Sequence, residues 1–277
     1  MENAARGGHL AVVMWLHENH SLNLEWFEPT AMTYAAGNGH LSVVEWLHAN
    51  CPVSGTGEED PITYAALDYA AGAGDIKVMK WLHSNTRCSN DAPDRNGLNV
   101  AQTQATDAMI LAAGNGHLEA VEWLHYNSLE GCNMDERAMD LAALGGYLHV
   151  IEWLHAHRQE GCTSSAMEFA VKRGHLSIVE WLHRNQNIVS DEPLEYSSSA
   201  LNDAAKLGYL SVLEWLAANY PTEFQEKMAE NDDLVFSGTG SIFTGANILS
   251  ENSCNLAVME WIFSTALSQV SADCCKP

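Results

Sequence analysis

Ala31-Met32-Thr33-Tyr34-Ala35-Ala36-Gly37-Asn38-Gly39-His40-Leu41-Ser42-Val43-Val44-Glu45-Trp46-Leu47-His48 reads as two short helices broken by glycine. Thr30 is placed to cap the first helix, and Met32, Ala35 and Ala36 give it an apolar stripe at helical spacing. Gly37-Asn38-Gly39 permits the positive φ of a tight reversal. The second helix then runs from Leu41 to about His48, with Leu41, Val44, Trp46 and Leu47 predicted on its buried side. A hairpin this small cannot hide two apolar faces alone.

Copies recur at Ala4–His17, Leu67–His83, Ala108–His125, Ala138–His155, Ala166–His183 and Ala200–Ala217, with a worn one at Ala246–Phe263. Their tryptophans, at 15, 46, 81, 123, 153, 181, 215 and 261, are spaced by 31, 35, 42, 30, 28, 34 and 46 residues. The unit is therefore near 30 residues, with inserts. Self-similarity at that period predicts an all-α solenoid of stacked hairpins, about eight units over 1–263. The first unit lacks most of its first helix, the eighth is degenerate, and 264–277 is a polar tail. The tryptophans are expected in the core. The stretches 50–64, 84–107, 186–199 and 218–245 are expected as polar loops.

These residues resemble the ankyrin repeat. Thr30 to Ala36 stands in for that family's Thr-Pro-Leu-His-x-Ala-Ala, and Gly39-His40-Leu41 and Val43 to Leu47 match its turn and second helix. Gly116-His117-Leu118 and Gly174-His175-Leu176 repeat the turn unchanged. The Trp-Leu-His endings and Glu-Gly-Cys-Thr links are similar to the ankyrin families of oomycetes, amoebae and giant viruses. The resemblance implies a non-catalytic protein-interaction module, an adaptor or a pathogen effector, that binds on its concave face and loop edge. An architectural spacer, or a fragment of a larger multidomain ankyrin protein, is the alternative.

Composition narrows the partner. Lys plus Arg number 13 against 36 Asp plus Glu, for a net charge of −23. That field repels phosphate backbones, so nucleic acid is not an expected partner, and a basic protein surface or peptide is. No apolar run is long enough to span a membrane. The cysteines include Cys132 and Cys162, one Glu-Gly-Cys position seen twice, which reads as packing rather than as a disulfide framework. A reducing, cytoplasmic setting follows.

Thirteen histidines raise the possibility of a metal-using enzyme. His40 and His48 are eight residues apart, as are His9 and His17, His117 and His125, and His175 and His183. On a helix that is about 12 Å, beyond the spacing of common zinc ligands. Structural use is expected, with neither metal nor cofactor, and no catalytic motif is present. Glu45, Glu122, Glu152, Glu180, Glu214 and Glu260 each precede a tryptophan and predict an acidic outer ridge.

Packing repeats while recognition need not, so the variable positions are the candidate contacts. The pair before Gly-His supplies Asn38, Asn115, Lys172, Arg173 and Lys206. The position four residues before that pair supplies Asp68, Ile110, Asp140, Glu168 and Asn202. Lys172, Arg173 and Lys206 form a small positive island in a chain with few bases.

Overall fold

Each hairpin closes on a glycine with positive φ, at Gly8, Gly39, Gly74, Gly116, Gly146, Gly174 and Gly208. At Gly74 two orphan carbonyls of the first helix are satisfied together, since Gly74 N–H donates to Ala71 O and Asp75 N–H to Ala70 O. A Cβ there would also lie 2.6 Å from His117 Nδ1 of the next repeat. The turn side chain of one unit therefore packs on the turn glycine of the unit before, which accounts for the recurring Gly-His pairs.

The computed structural model describes residues 1–20, 30–50, 61–85, 107–127, 135–189, 194–229 and 261. All its regular elements are helices, and the chain divides into two compact units, Met1–Glu160 and Gly161–Pro277. The first unit holds five hairpins: α1 (Glu2–Arg6) with α2 (Leu10–His20), α3 (Thr30–Gly37) with α4 (Leu41–Asn50), α5 (Pro61–Ala73) with α6 (Ile76–Asn85), α7 (Ala108–Gly114) with α8 (Leu118–Tyr126), and α9 (Arg137–Gly145) with α10 (Leu148–His157). Their first helices pack in series, α1 on α3, α3 on α5, α5 on α7 and α7 on α9. The second unit holds α11 (Ser164–Arg173) with α12 (Leu176–Val189), α13 (Ser198–Leu207) with α14 (Leu210–Asn219), and α15 (Pro221–Ala229), which packs on both α13 and α14. Helices of this length are marginal alone and persist because stacking buries them.

The core is a repeating set. Ala35-Ala36, Ala70-Ala71, Ala112-Ala113 and Ala142-Ala143 are buried on the first helices, small enough for close helix approach. Val43-Val44-Leu47, Val78-Met79-Leu82, Ala120-Val121-Leu124 and Val150-Ile151-Leu154 are buried on the second. Ile178-Val179-Leu182 and Val212-Leu213-Leu216 repeat this in the second unit.

That stripe corrects the expectation for the tryptophans. It occupies the positions i, i+1 and i+4, which puts each tryptophan on its shoulder. Trp181 is buried, but Trp46, Trp81, Trp123, Trp153 and Trp215 are only half-buried, and Trp15 is 56% exposed. Leu41 is likewise half-buried, and Val43 takes the interior place.

Other boundaries also move. Thr30 is the first residue of α3 rather than its cap, and its hydroxyl donates to Glu2 Oε1 of the preceding repeat. Three stretches expected as loops contain helix: α5 starts at Pro61, α12 runs on to Val189, and α15 fills Pro221–Ala229. Proline favours the first helical position, where its missing N–H costs nothing. In α15, Phe224 is buried with its ring 6.1 Å from that of Trp261, and Lys227 pairs with Glu223 at 3.1 Å. Cys162 is buried, as a packing thiol would be. Cys132, most of the worn copy, Glu260 and the tail 264–277 lie outside the described residues.

Candidate functional site

Of the positions singled out four before the turn pair, Ile110 (2% exposed) and Asp140 (5%) are interior, and Asp68, Glu168 and Asn202 are half-buried. Sequence variation there follows the joints between repeats. Glu168 accepts from both the N–H (2.6 Å) and the hydroxyl (2.7 Å) of Ser197, the residue that caps α13 by accepting from Ala200 N–H at 3.1 Å. Glu2 and Thr30 make the equivalent link one joint into the first unit. An acid at this position meets the open N–H groups and positive end of the next first helix. Ile110 and Asp140 are thus corrected from surface contacts to interior residues.

Asp68 shows the cost of that use. The N–H groups of Asp107 and Ala108 stabilise its charge, yet burial first and the nearby Asp107 carboxylate second push its carboxyl up to about 7. Its Oδ1 is buried without a hydrogen-bond partner. Asp107 in turn pairs with Arg137 at 3.2 Å, and Arg137 with Asp135 at 2.7 Å, so the charges of neighbouring helix starts are linked.

The turn pair is where side chains reach solvent. Asn38, Ala73 and Asn115 are exposed in the first unit, and Arg173, Lys206 and Leu207 in the second. Lys172 pairs with Asp203 at 2.9 Å, which reduces the expected positive island to Arg173 and Lys206 as its exposed members. The two asparagines are held by their amide nitrogens. Asn38 Nδ2 donates to Tyr34 O at 2.8 Å, and Asn115 Nδ2 donates to Gly72 O at 2.9 Å, across a repeat boundary.

One row escaped the sequence reading. Tyr34, Tyr69, Leu111 and Leu141 each stand one residue after the joint position and reach the surface, Tyr69 being 52% exposed. Each rests on the preceding repeat. Arg6 lies over the Tyr34 ring at 4.7 Å, and a Cβ at Gly37 would meet Tyr69 Cβ at 3.1 Å. At Gly114 it would meet Leu141 Cβ at 3.0 Å. The signal was present as a pairing: glycine at 37, 72 and 114, answered in each following repeat by a bulky Tyr69, Leu111 or Leu141.

The second helices use their repeated residues on one another. His17 meets Trp46 edge-on at 5.1 Å, and His48 with Trp81, His83 with Trp123 and His125 with Trp153 repeat the contact. His183 and Trp215 do the same in the second unit. Four residues after each tryptophan an asparagine turns back to its carbonyl, at 2.8 Å for Asn50, Asn85, Asn127, Asn185 and Asn219. His157 takes that role for Trp153. Glu45, Glu152 and Glu214 are exposed, while Glu122 and Glu180 are half-buried. Among the described residues no three His, Cys, Asp or Glu side chains converge as a metal site would require. Among the same residues no helix is long and apolar enough to cross a membrane.

Glycine-closed helical hairpins with a recurring apolar core and a variable exposed rim define a helical repeat protein. The family model described as "Ankyrin repeats (3 copies)" matches residues 1–94 and 67–163, more than half of the chain, and the chain belongs to the ankyrin-repeat family. No curated protein matches it. Ankyrin repeats are in general protein–protein interaction modules and typically non-catalytic.

Proposed function

We propose that this protein is a non-catalytic interaction module that holds another protein through the first helices and turns of its hairpins. The observation that carries the reading is the division of labour within each hairpin. From the second hairpin on, an Ala-Ala or Ala-Val pair and an apolar i, i+1, i+4 stripe ending in Leu are buried, whereas the exposed turn pair changes from Asn38 and Ala73 to Asn115, Arg173 and Lys206. Contacts on such a surface are distributed, with a few residues supplying most of the affinity. The net charge of −23 favours a partner of basic overall character, drawn in by the long-range field. The Trp-Leu-His pattern, which resembles that of oomycete, amoebal and giant-virus ankyrin families, supports a cytoplasmic adaptor or an effector delivered to a host cell.

The test is affinity capture from cell extract, followed by mass spectrometry and direct titration of the captured protein. The wild-type chain runs beside one changed to Ala at Asn38, Asn115, Arg173 and Lys206, all exposed positions. A single partner that binds the wild type and is lost from the variant supports the reading. A partner held equally by both places the contact elsewhere, and the acidic second-helix side becomes the site to test.

A further inference from the structure

In the second unit the bases divide into those the fold uses and those it leaves out. Lys172 pairs with Asp203 at 2.9 Å, Arg184 with Glu180 at 3.9 Å and Lys227 with Glu223 at 3.1 Å. Arg173 and Lys206 are exposed and, among the described residues, form no ion pair. The fold holds them close together. The Lys172–Asp203 pair ties the end of α11 to α13, Arg173 follows Lys172, and Lys206 lies one turn beyond Asp203 on the same side of α13. The acids of these two helices are both engaged, Asp203 by Lys172 and Glu168 by the N–H and hydroxyl of Ser197. Leu207, 59% exposed, adjoins Lys206. Lys227 donates to Tyr196 O just before α13 starts, so the acids of α15 and the exposed Glu195 stand toward the other end of α13, about 15 Å from Lys206 along the helix. Bases at a helix C-terminus are favoured by its negative end. That does not account for this pair, because α3, α5, α7 and α9 reach their glycine turns with no base in the last turn.

Resting on the protein-binding reading, we propose that this turn face of the second unit receives an acidic segment of the partner, its carboxylates on Arg173 and Lys206 and an apolar neighbour on Leu207. A guanidinium takes a carboxylate with two parallel N–H donors, and an ammonium adds a second contact as a compact point charge. A basic segment would meet two like charges here, and such juxtapositions cost affinity. The net charge of −23 still draws in a partner that is basic overall, through the long-range field. That field is screened over about 10 Å at 0.1 M salt, so at contact the two bases decide which part of the partner faces them. Attraction at long range and selection at short range then act on different parts of one partner. Together they set its orientation.

The experiment is selection of random short peptides on the full-length chain. Selected peptides are titrated at about 100 mM and about 500 mM NaCl, since screening weakens contacts between exposed charges. Two double variants follow, Arg173→Gln with Lys206→Gln, and Arg173→Glu with Lys206→Glu. Both positions are exposed, and thermal melting verifies that the variants fold. The expected result is acidic sequences with an apolar residue beside the acids, held several-fold less tightly at the higher salt. The neutral pair should weaken them about threefold to tenfold, and the reversed pair about tenfold or more. Acidic peptides that bind both variants as well as the wild type, or selection of basic or uncharged sequences alone, would overturn the proposal and leave protein binding to be placed elsewhere. A single-stranded oligonucleotide that binds as tightly, and is lost with the same variants, would overturn the choice of a peptide as occupant. Failure to select any binder would overturn the proposal together with the reading it rests on.

Discussion

Asp68 binds its proton more tightly in the folded chain than in the unfolded one, because burial and Asp107 penalise its charge. Its folded value of about 7 stands above the ordinary value of 3.8. The proton-linked stabilisation is therefore complete below the unfolded value and is lost as pH rises towards about 7, after which it stays flat. Asp68→Asn keeps an oxygen for the N–H groups of Asp107 and Ala108 without the charge. Thermal melts followed by circular dichroism should show the variant more stable than wild type near pH 8 and similar to it near pH 4. Parallel curves across that window would refute the account. Glu168 is the contrasting case, with both bonds to Ser197 well formed. Glu168→Ala should cost about 1.5–3 kcal/mol, the usual worth of hydrogen bonds to a charged group, as read by urea unfolding.

At the scale of the helix, a His–Trp pair joins α2 to α4, α4 to α6, α6 to α8, α8 to α10 and α12 to α14. A double-mutant cycle on His17 and Trp46, whose rings are 5.1 Å apart, should give a coupling of about 0.5–1.5 kcal/mol. Zero coupling would mean the contact is only proximity. Gly74→Ala should cost more than about 1 kcal/mol, since it adds a Cβ to a left-handed residue and drives it towards His117. The hairpin itself was legible in the sequence, since period, glycine turn and alanine pair are all local signals. What was not legible has a common cause in the register between neighbouring units. Variation at Asp68 or Glu168 looks the same whether the side chain faces a ligand or the next helix start. A tryptophan's size suggests full burial, but the Val-Val-x-x-Leu stripe already fills the interior and leaves the indole for the neighbouring histidine. Pro61 and Pro221 could have been read as first helical residues, and the polar residues around them pointed instead to loops.

For the whole molecule, charge dominates. With −23 spread over 277 residues, self-repulsion opposes compaction, and added salt should raise the melting temperature. Screening acts over about 10 Å at 0.1 M salt, which is comparable to the separation of neighbouring helices. A melting temperature that stays level or falls between low and moderate NaCl would show that local ion pairs, such as Lys172 with Asp203, outweigh the collective term.

The indole rings also give the protein a set of built-in optical reporters. Each of Trp46, Trp81, Trp123 and Trp153 carries the imidazole of the preceding hairpin against it, and the contact exists only while those two neighbours are docked. Parting one joint changes the surroundings of one fluorophore and leaves the rest as they were. Chains that keep a single one of these tryptophans, with Phe at the other eight tryptophans of the sequence, would emit a signal that dates the opening of that joint, so fraying could be timed hairpin by hairpin with no dye attached.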